Sequence, residues 1–282
     1  MLIGEIVQRQ SMAADGAWFA RFNASRFRTA FQTIFEMDER SAPKPYAAEA
    51  LCRITRGQTP VSITAFLHGM RSTRVLLADC NAMALHVRNY ASLQDRPENL
   101  FLNADPRSAH KLSQVHHALA QFAAYVEDME IPTSNVIIEL TEEHALSEDA
   151  LSFTAMALRK FGFGIAIDDF GARASNLVRL VALRPDYLKF DRLWLSRLLE
   201  QRESRALLAS KVERLKGLGV KLVAEGLETP EQIHLTREVG IDLFQGYALQ
   251  RPEPSQLYVP CRDIHRVGAA HPEVQTASMN TG

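Results

Sequence analysis

Cysteine is scarce in this chain. Only Cys52, Cys80 and Cys261 occur among 282 residues, isolated from one another and without the spacing of a zinc site. Their number and spacing argue against a disulfide framework or a thiolate metal centre and read as reduced structural thiols. Nine histidines, His116-His117 on an expected helix among them, lack ligand-like spacing, which leaves solvated surface positions. An excess of one charge is also missing. A net charge of −1 gives no reason to expect a nucleic acid polymer or an anionic membrane as partner. No apolar run is long enough to span a bilayer. The start, Met1-Leu-Ile-Gly-Glu-Ile-Val-Gln8, reaches an acidic residue too early for a signal peptide. The expectation is a cytoplasmic protein with no membrane segment.

What is present is a regular alternation. Residues 1–25 read as an N-terminal extension that Trp18, Phe19 and Phe22 dock on the domain. Ala30–Met37 and Tyr46–Ile54 read as strands joined by a turn too short for a parallel crossover, so they are expected to be antiparallel. Residues 61–93 read as two helices broken near Gly69. Strands are then expected at 99–103, 135–140, 164–168, 186–190, 220–225 and 241–246. Helices are expected at 108–129, 149–161, 174–183, 193–216 and 230–239, from apolar residues at helical spacing. Gly162, Gly219 and Gly240 stand where helices should stop. Six such strands plus the hairpin make eight, which suggests a modified TIM (β/α)8 barrel with its first strand antiparallel to the others. A doubly wound sheet explains less well why polar groups end nearly every strand. The domain is placed at 26–261, and 262–282 reads as a small, polar, mobile tail.

Those polar groups are the chain's main chemical signal. Glu139 ends Val136-Ile-Ile, Asp168 and Asp169 end Gly164-Ile-Ala-Ile, and Glu225 ends Val220-Lys-Leu-Val-Ala. Glu49 lies within the second strand, and Asn103 and Lys189 hold similar positions in theirs. Any one of these acids alone is an ordinary solvated or capping carboxylate. Together they suggest one site, where unpaired anions would repel strongly and a hard divalent cation suits oxygen donors. Lys189 should point into the same mouth, to orient water or, with a depressed pKa, to act as a base; otherwise it is a snorkelling surface lysine. Arg53 lies four residues after Glu49, on the same strand face, where it could clamp a phosphate or pair with a barrel acid.

Seven motifs occur in order: Glu49-Ala-Leu51 with Arg53, Asn103-Ala-Asp-Pro106, Glu139-Leu-Thr-Glu142, Asp168-Asp-Phe-Gly171, Lys189-Phe-Asp191, Ala224-Glu-Gly-Leu-Glu228 and Gln245-Gly-Tyr247. Over roughly Phe27–Pro254 the chain resembles the EAL-domain family of cyclic di-GMP phosphodiesterases. The resemblance implies two-metal activation of water and hydrolysis of cyclic di-GMP to linear pGpG. It implies magnesium or manganese, two per site: Glu49, Asn103, Glu139 and Asp168 on one metal, and Asp168, Asp169 and Glu225 on the second. Lys189, Glu225 and Asp169 become the catalytic set. Arg53, Leu51 and Gln245 contact substrate, with a plain structural amide as the other reading of Gln245. Glu142 anchors the loop after the double aspartate, and Glu228 hydrogen-bonds lysine or water. A homodimer through the helices and loops near 169–183 is also implied, supported by the apolar run Leu177-Val-Arg-Leu-Val181.

The sequence departs from the family pattern after Asp169, where Arg173, Ala174 and Asn176 replace a glycine, an aromatic residue and a serine. Ile54 replaces a tryptophan, and Ala104-Asp105 replace Leu-Ser. The alternative reading is therefore a catalytically weak EAL domain acting as a cyclic di-GMP receptor or interaction module.

Overall fold

The computed structural model describes residues 3–37, 42–105, 112–141, 148–171, 180 and 183–260. Twelve strands form one mixed sheet among these residues. β1 (Ser11–Met12) and β2 (Trp18–Phe22) precede β3 (Ser25–Glu36) and β4 (Lys44–Arg56), and β5 (Thr59–Val61) folds back on the end of β4. β6 (Asn99–Ala104), β7 (Val136–Thr141), β8 (Gly164–Phe170), β9 (Tyr187–Phe190), β10 (Lys221–Ala224) and β11 (Leu243–Phe244) follow. From β4 to β11 each joins the next parallel, in the order β4-β6-β7-β8-β9-β10-β11. β3 closes the circle, antiparallel to both β4 and β11. The result is the closed eight-stranded barrel with one reversed strand that the alternation predicts.

Helices cover the barrel. α1 (Ile3–Gln8) and α3 (Ser72–Ala91) lie near the N-terminal strands, with α2 (Ile63–Leu67) before α3. α4 (Leu112–Asp128), α5 (Glu148–Lys160), α6 (Arg192–Glu200), α7 (Arg202–Lys216) and α8 (Pro230–Glu238) follow. Gly162, Gly219 and Gly240 have φ of 83°, 81° and 85°, the left-handed geometry of helix stops. One correction concerns 193–216, read from the sequence as a single helix. Gln201 is extended (φ −110°, ψ 135°) and divides it into α6 and α7. The apolar register gives the reason. Leu195 and Leu199 are buried on α6, and Leu208, Val212 and Leu215 on α7. At about 100° per residue, Leu199 and Leu208 would face opposite sides of a straight helix; the break turns both towards the barrel.

The N-terminal segment is tied to the barrel. β2 pairs with β3, Trp18 exchanges backbone hydrogen bonds with the Asn89 side chain at 2.9 and 3.1 Å, and the Arg88 guanidinium lies over the Trp18 ring. β12 (Glu253–Pro254) also pairs with β3. The expected helix at 174–183 and its apolar run lie outside the described residues except Leu180 and Leu183, as do Glu142, Arg173, Ala174, Asn176 and Cys261.

Two apolar layers position the site. The outer layer lies between barrel and helices and includes Leu102, Ile138, Ile167, Leu188 and Leu222. The inner layer fills the barrel with Ile34, Ala47, Phe101, Ile137, Ala166, Val223 and Leu243, packed against Tyr46 and Tyr187. Side chains alternate along a strand, so residues two steps beyond this plug share its face. Those residues are Glu49, Asn103, Glu139, Asp168, Lys189, Glu225 and Gln245.

Candidate active site

The polar layer lies at the C-terminal ends of the parallel strands, around one buried ammonium. Lys189 is 1% exposed. Its Nζ donates to Glu139 Oε1 at 2.6 Å and lies 2.5 Å from Glu225 Oε1, 3.6 Å from Glu49 Oε2 and 3.9 Å from Asp168 Oδ1. Strand pairing fixes this convergence, because Asn103 is the register partner of Glu139. Asn103 Nδ2 donates to Glu49 Oε1 at 3.1 Å, and Gln245 Nε2 donates to Glu49 Oε2 at 2.6 Å.

One cation cannot balance this set. Burial alone would lower the Lys189 pKa, but Glu139, Glu225, Glu49 and Asp168 outweigh it and raise it well above the usual value. Burial opposes ionisation of Glu49 as well, yet Lys189, Gln245 and Asn103 hold its carboxyl below the usual range. Burial, then repulsion from Glu49, raises Glu139 well above the usual range. Burial, with repulsion from Asp168 and Glu49, pushes Glu225 up to about 8 despite Lys189. Lys189 therefore stays charged, while burial and mutual repulsion oppose ionisation of the surplus carboxylates.

Further positive charge would relieve the surplus, and two observations fit a divalent cation. Glu139 Oε2 is buried without a hydrogen-bond partner. Asp168, Asp169 and Glu225 offer oxygen atoms all within 4.8 Å of one another. An all-oxygen donor set of this kind suits a hard divalent cation. Glu49 and Glu139 hold further oxygens around the same Lys189 ammonium, and Asn103 lies against Glu49.

A cleft of about 290 Å³ opens over Glu49, Asp168, Lys189, Glu225 and Gln245. Arg192, Glu228 and Tyr247 stand on its lining with Gln32. Sequence reasoning did not find Gln32, which pairs with Glu49 across the hairpin and donates to Gln250 O at 2.9 Å. The signal was Gln32-Thr-Ile34: in a reversed strand the polar residue comes two before the plug residue. Glu228 is held by Arg192 at 2.8 Å. Leu51 is half-buried. Arg53 is exposed, its guanidinium donates to Cys52 O at 3.5 Å, and it makes no ion pair with a site acid among the described residues. Glu142 lies outside the described residues.

The EAL-domain family model matches residues 16–252. Among curated proteins, the cyclic di-GMP phosphodiesterase RocR of Pseudomonas aeruginosa is 34% identical over 181 residues, covering 63% of this chain and 45% of RocR. The probable cyclic di-GMP phosphodiesterase PdeA of Escherichia coli is 36% identical over 120 residues, covering 42% of this chain and 16% of PdeA. The chain thus spans less than half the length of these curated relatives. Among solved structures, Klebsiella pneumoniae BlrP1 in a manganese and cyclic di-GMP complex gives a TM-score of 0.66 at 30% identity, covering 81% of this chain and 56% of that one. A standalone EAL protein of Vibrio cholerae in its cyclic di-GMP-bound form gives a TM-score of 0.71 at 19% identity, covering 85% and 97%. That second likeness bears on the fold alone.

Proposed function

The chain belongs to the EAL-domain family, and from that premise we propose that it is a metal-dependent phosphodiesterase hydrolysing cyclic di-GMP to linear pGpG. The observation that carries this reading is the carboxylate layer above the barrel plug, with more negative charge than Lys189 balances and an unpartnered buried oxygen on Glu139. Glu49, Asn103, Glu139 and Asp168 would hold one divalent cation, and Asp168, Asp169 and Glu225 a second. Bound magnesium or manganese supplies Lewis acidity towards a phosphodiester and lowers the pKa of coordinated water.

The chain's own residues supply position and proton handling. Lys189 Nζ, kept protonated by its acids, donates hydrogen bonds and orients the attacking water rather than deprotonating it. Glu225, ionised once a cation shares its carboxylate, would take the proton of the attacking water beside Lys189. Asp169 shares the metal-facing edge with it. Arg53, on the rim of the strand that carries Glu49, clamps a substrate phosphate. Leu51 and Gln245 border the substrate. Glu142 anchors the acidic loop, and Glu228 acts from the cleft wall through Arg192.

The working unit is proposed as residues 26–261, with 1–25 as its docked extension and 262–282 as a tail. It acts in the cytoplasm as a homodimer, which light scattering at micromolar concentration tests. No helix among the described residues is long and apolar enough to cross a membrane. Purified protein incubated with cyclic di-GMP and magnesium or manganese should yield pGpG. The sequence Gly171-Ala-Arg-Ala-Ser-Asn176 favours a second reading, a weak enzyme that serves as a cyclic di-GMP receptor. Nucleotide binding without pGpG would select it.

A further inference from the structure

The end of β8 that carries the two aspartates has uncommon backbone. Asp169 has φ 58° and Gly171 has φ 102°, and the β8–β9 pairing is irregular between Ile167 and Phe170. Such geometry persists where the surroundings hold it. Trp194, in the first turn of α6, lies over this segment. Its indole stacks on Phe190, with centroids 5.4 Å apart and planes 15° apart. Phe190 meets Phe170 edge-on at 6.0 Å. A Cβ on Gly171 would sit 2.5–2.8 Å from three indole carbons, so the ring rests on the glycine backbone itself. Lys211 of α7 lies 4.8 Å from the indole ring and 5.0 Å from the Phe170 ring. The start of α6 is anchored to the same segment. Asp191 N donates to Phe170 O at 3.1 Å, and Asp191 Oδ1 accepts from Trp194 N at 2.8 Å. One ring therefore bridges the residue after Lys189 and the turn after Asp169.

We infer that Trp194 is a positioning residue for the acid pair: its indole, stacked on Phe190 and closed over Gly171, holds the Asp168–Asp169 end of β8 where Asp168, Asp169 and Glu225 converge on a divalent cation. This rests on the metal-dependent reading above. The indole acts on the placement of the donors, so its loss weakens metal binding more than turnover at saturating metal.

The test is calorimetric titration of the full chain with magnesium or manganese, without substrate. Trp194→Ala should raise the metal Kd at least tenfold, and Trp194→Phe, which keeps a ring over Gly171, should stay within threefold. The metal concentration for half-maximal activity should rise in parallel, with kcat at saturating metal within threefold. Leu199→Ala is the control for general loosening. It lies buried on the same helix and should leave the metal Kd within twofold. A second measurement leaves Trp194 in place. The chain has two tryptophans, so Trp18→Phe makes Trp194 the sole emitter, and its fluorescence should change over the magnesium range in which calorimetry registers binding. If Trp194→Ala fails to fold, the emission titration decides alone. Unchanged affinity in a folded Trp194→Ala, equal weakening by Leu199→Ala, or flat emission while metal binds would each overturn the placement of Trp194. Absence of metal uptake by the unaltered protein would overturn the functional reading, and this inference with it.

Discussion

Lys189 is the residue on which the site's charge balance turns. It was legible in the sequence as a polar group after an apolar run, but its burial among four carboxylates was not, because those acids come from four other strands. Its removal would leave Glu139 and Glu225 buried against one another. Breaking a buried ion pair costs about 3–5 kcal/mol, so Lys189→Met should melt well below the unaltered protein without metal. Magnesium should raise its melting temperature more than that of the unaltered chain. Equal melting in metal-free buffer would show that protonated acids already carry the balance. The sequence placed the acids by their position after apolar runs. It did not place Gln32, since reversal of β3 puts its polar residue before the apolar one. Nor did it give the Arg192–Glu228 pair, which joins the start of α6 to the loop after β10, far apart in sequence.

At the scale of elements, strands with strong alternation were legible, and the least regular joints were not. The break at Gln201 and the short strands β5 and β12 carry too few residues for a periodic signal. Helix α3 is fastened through buried polar groups. His86 Nδ1 lies 2.8 Å from Thr29 Oγ1 on β3, and Asn89 Nδ2 donates to the same hydroxyl at 3.1 Å. Burial, aided by Arg53, pushes the His86 imidazole down to about 3. An unfolded histidine titrates near 6.5, so as pH falls the unfolded chain takes up this proton first. His86 therefore leaves stability intact above about 6.5 and removes it progressively towards pH 3, by on the order of 5 kcal/mol. Denaturant melts across that range should fall less steeply for His86→Gln; identical slopes would remove His86 from the account. The loops after β10 and β11 interlock in a different way. Leu227 N donates to Gln245 O at 3.1 Å, and Ala248 N donates to Leu227 O at 2.9 Å. A Cβ at Gly246 would overlap the Leu227 backbone. Gly246→Ala should therefore destabilise by about 3 kcal/mol, measured by denaturant midpoint, and lower turnover by displacing Gln245 from Glu49.

For the whole molecule, the carboxylate layer predicts that divalent cations act as ligands of the folded state. Magnesium and manganese should raise the melting temperature with their concentration, as any ligand of the native state does, and chelation should reverse the gain. Calcium, with longer bonds and looser coordination, should stabilise without supporting turnover; pGpG formed in calcium at the magnesium rate would contradict this. The barrel was legible as a whole because its motifs recur in order, and its closure is where β3 matters most. One edge of β3 is occupied in turn by β2, β12 and β11, and the other by β4. The hairpin with β4 is local and can pair early, but closure joins Phe35 to Phe244, near the far end of the chain. Contacts so distant in sequence form late and slowly. During synthesis, Glu49 emerges long before Glu225 and Gln245, so the site has no partial form. A ribosome-bound chain that has yet to deliver β11 already carries every carboxylate of the site, but on an unclosed sheet, and its capacity to bind metal should appear abruptly with the last strand.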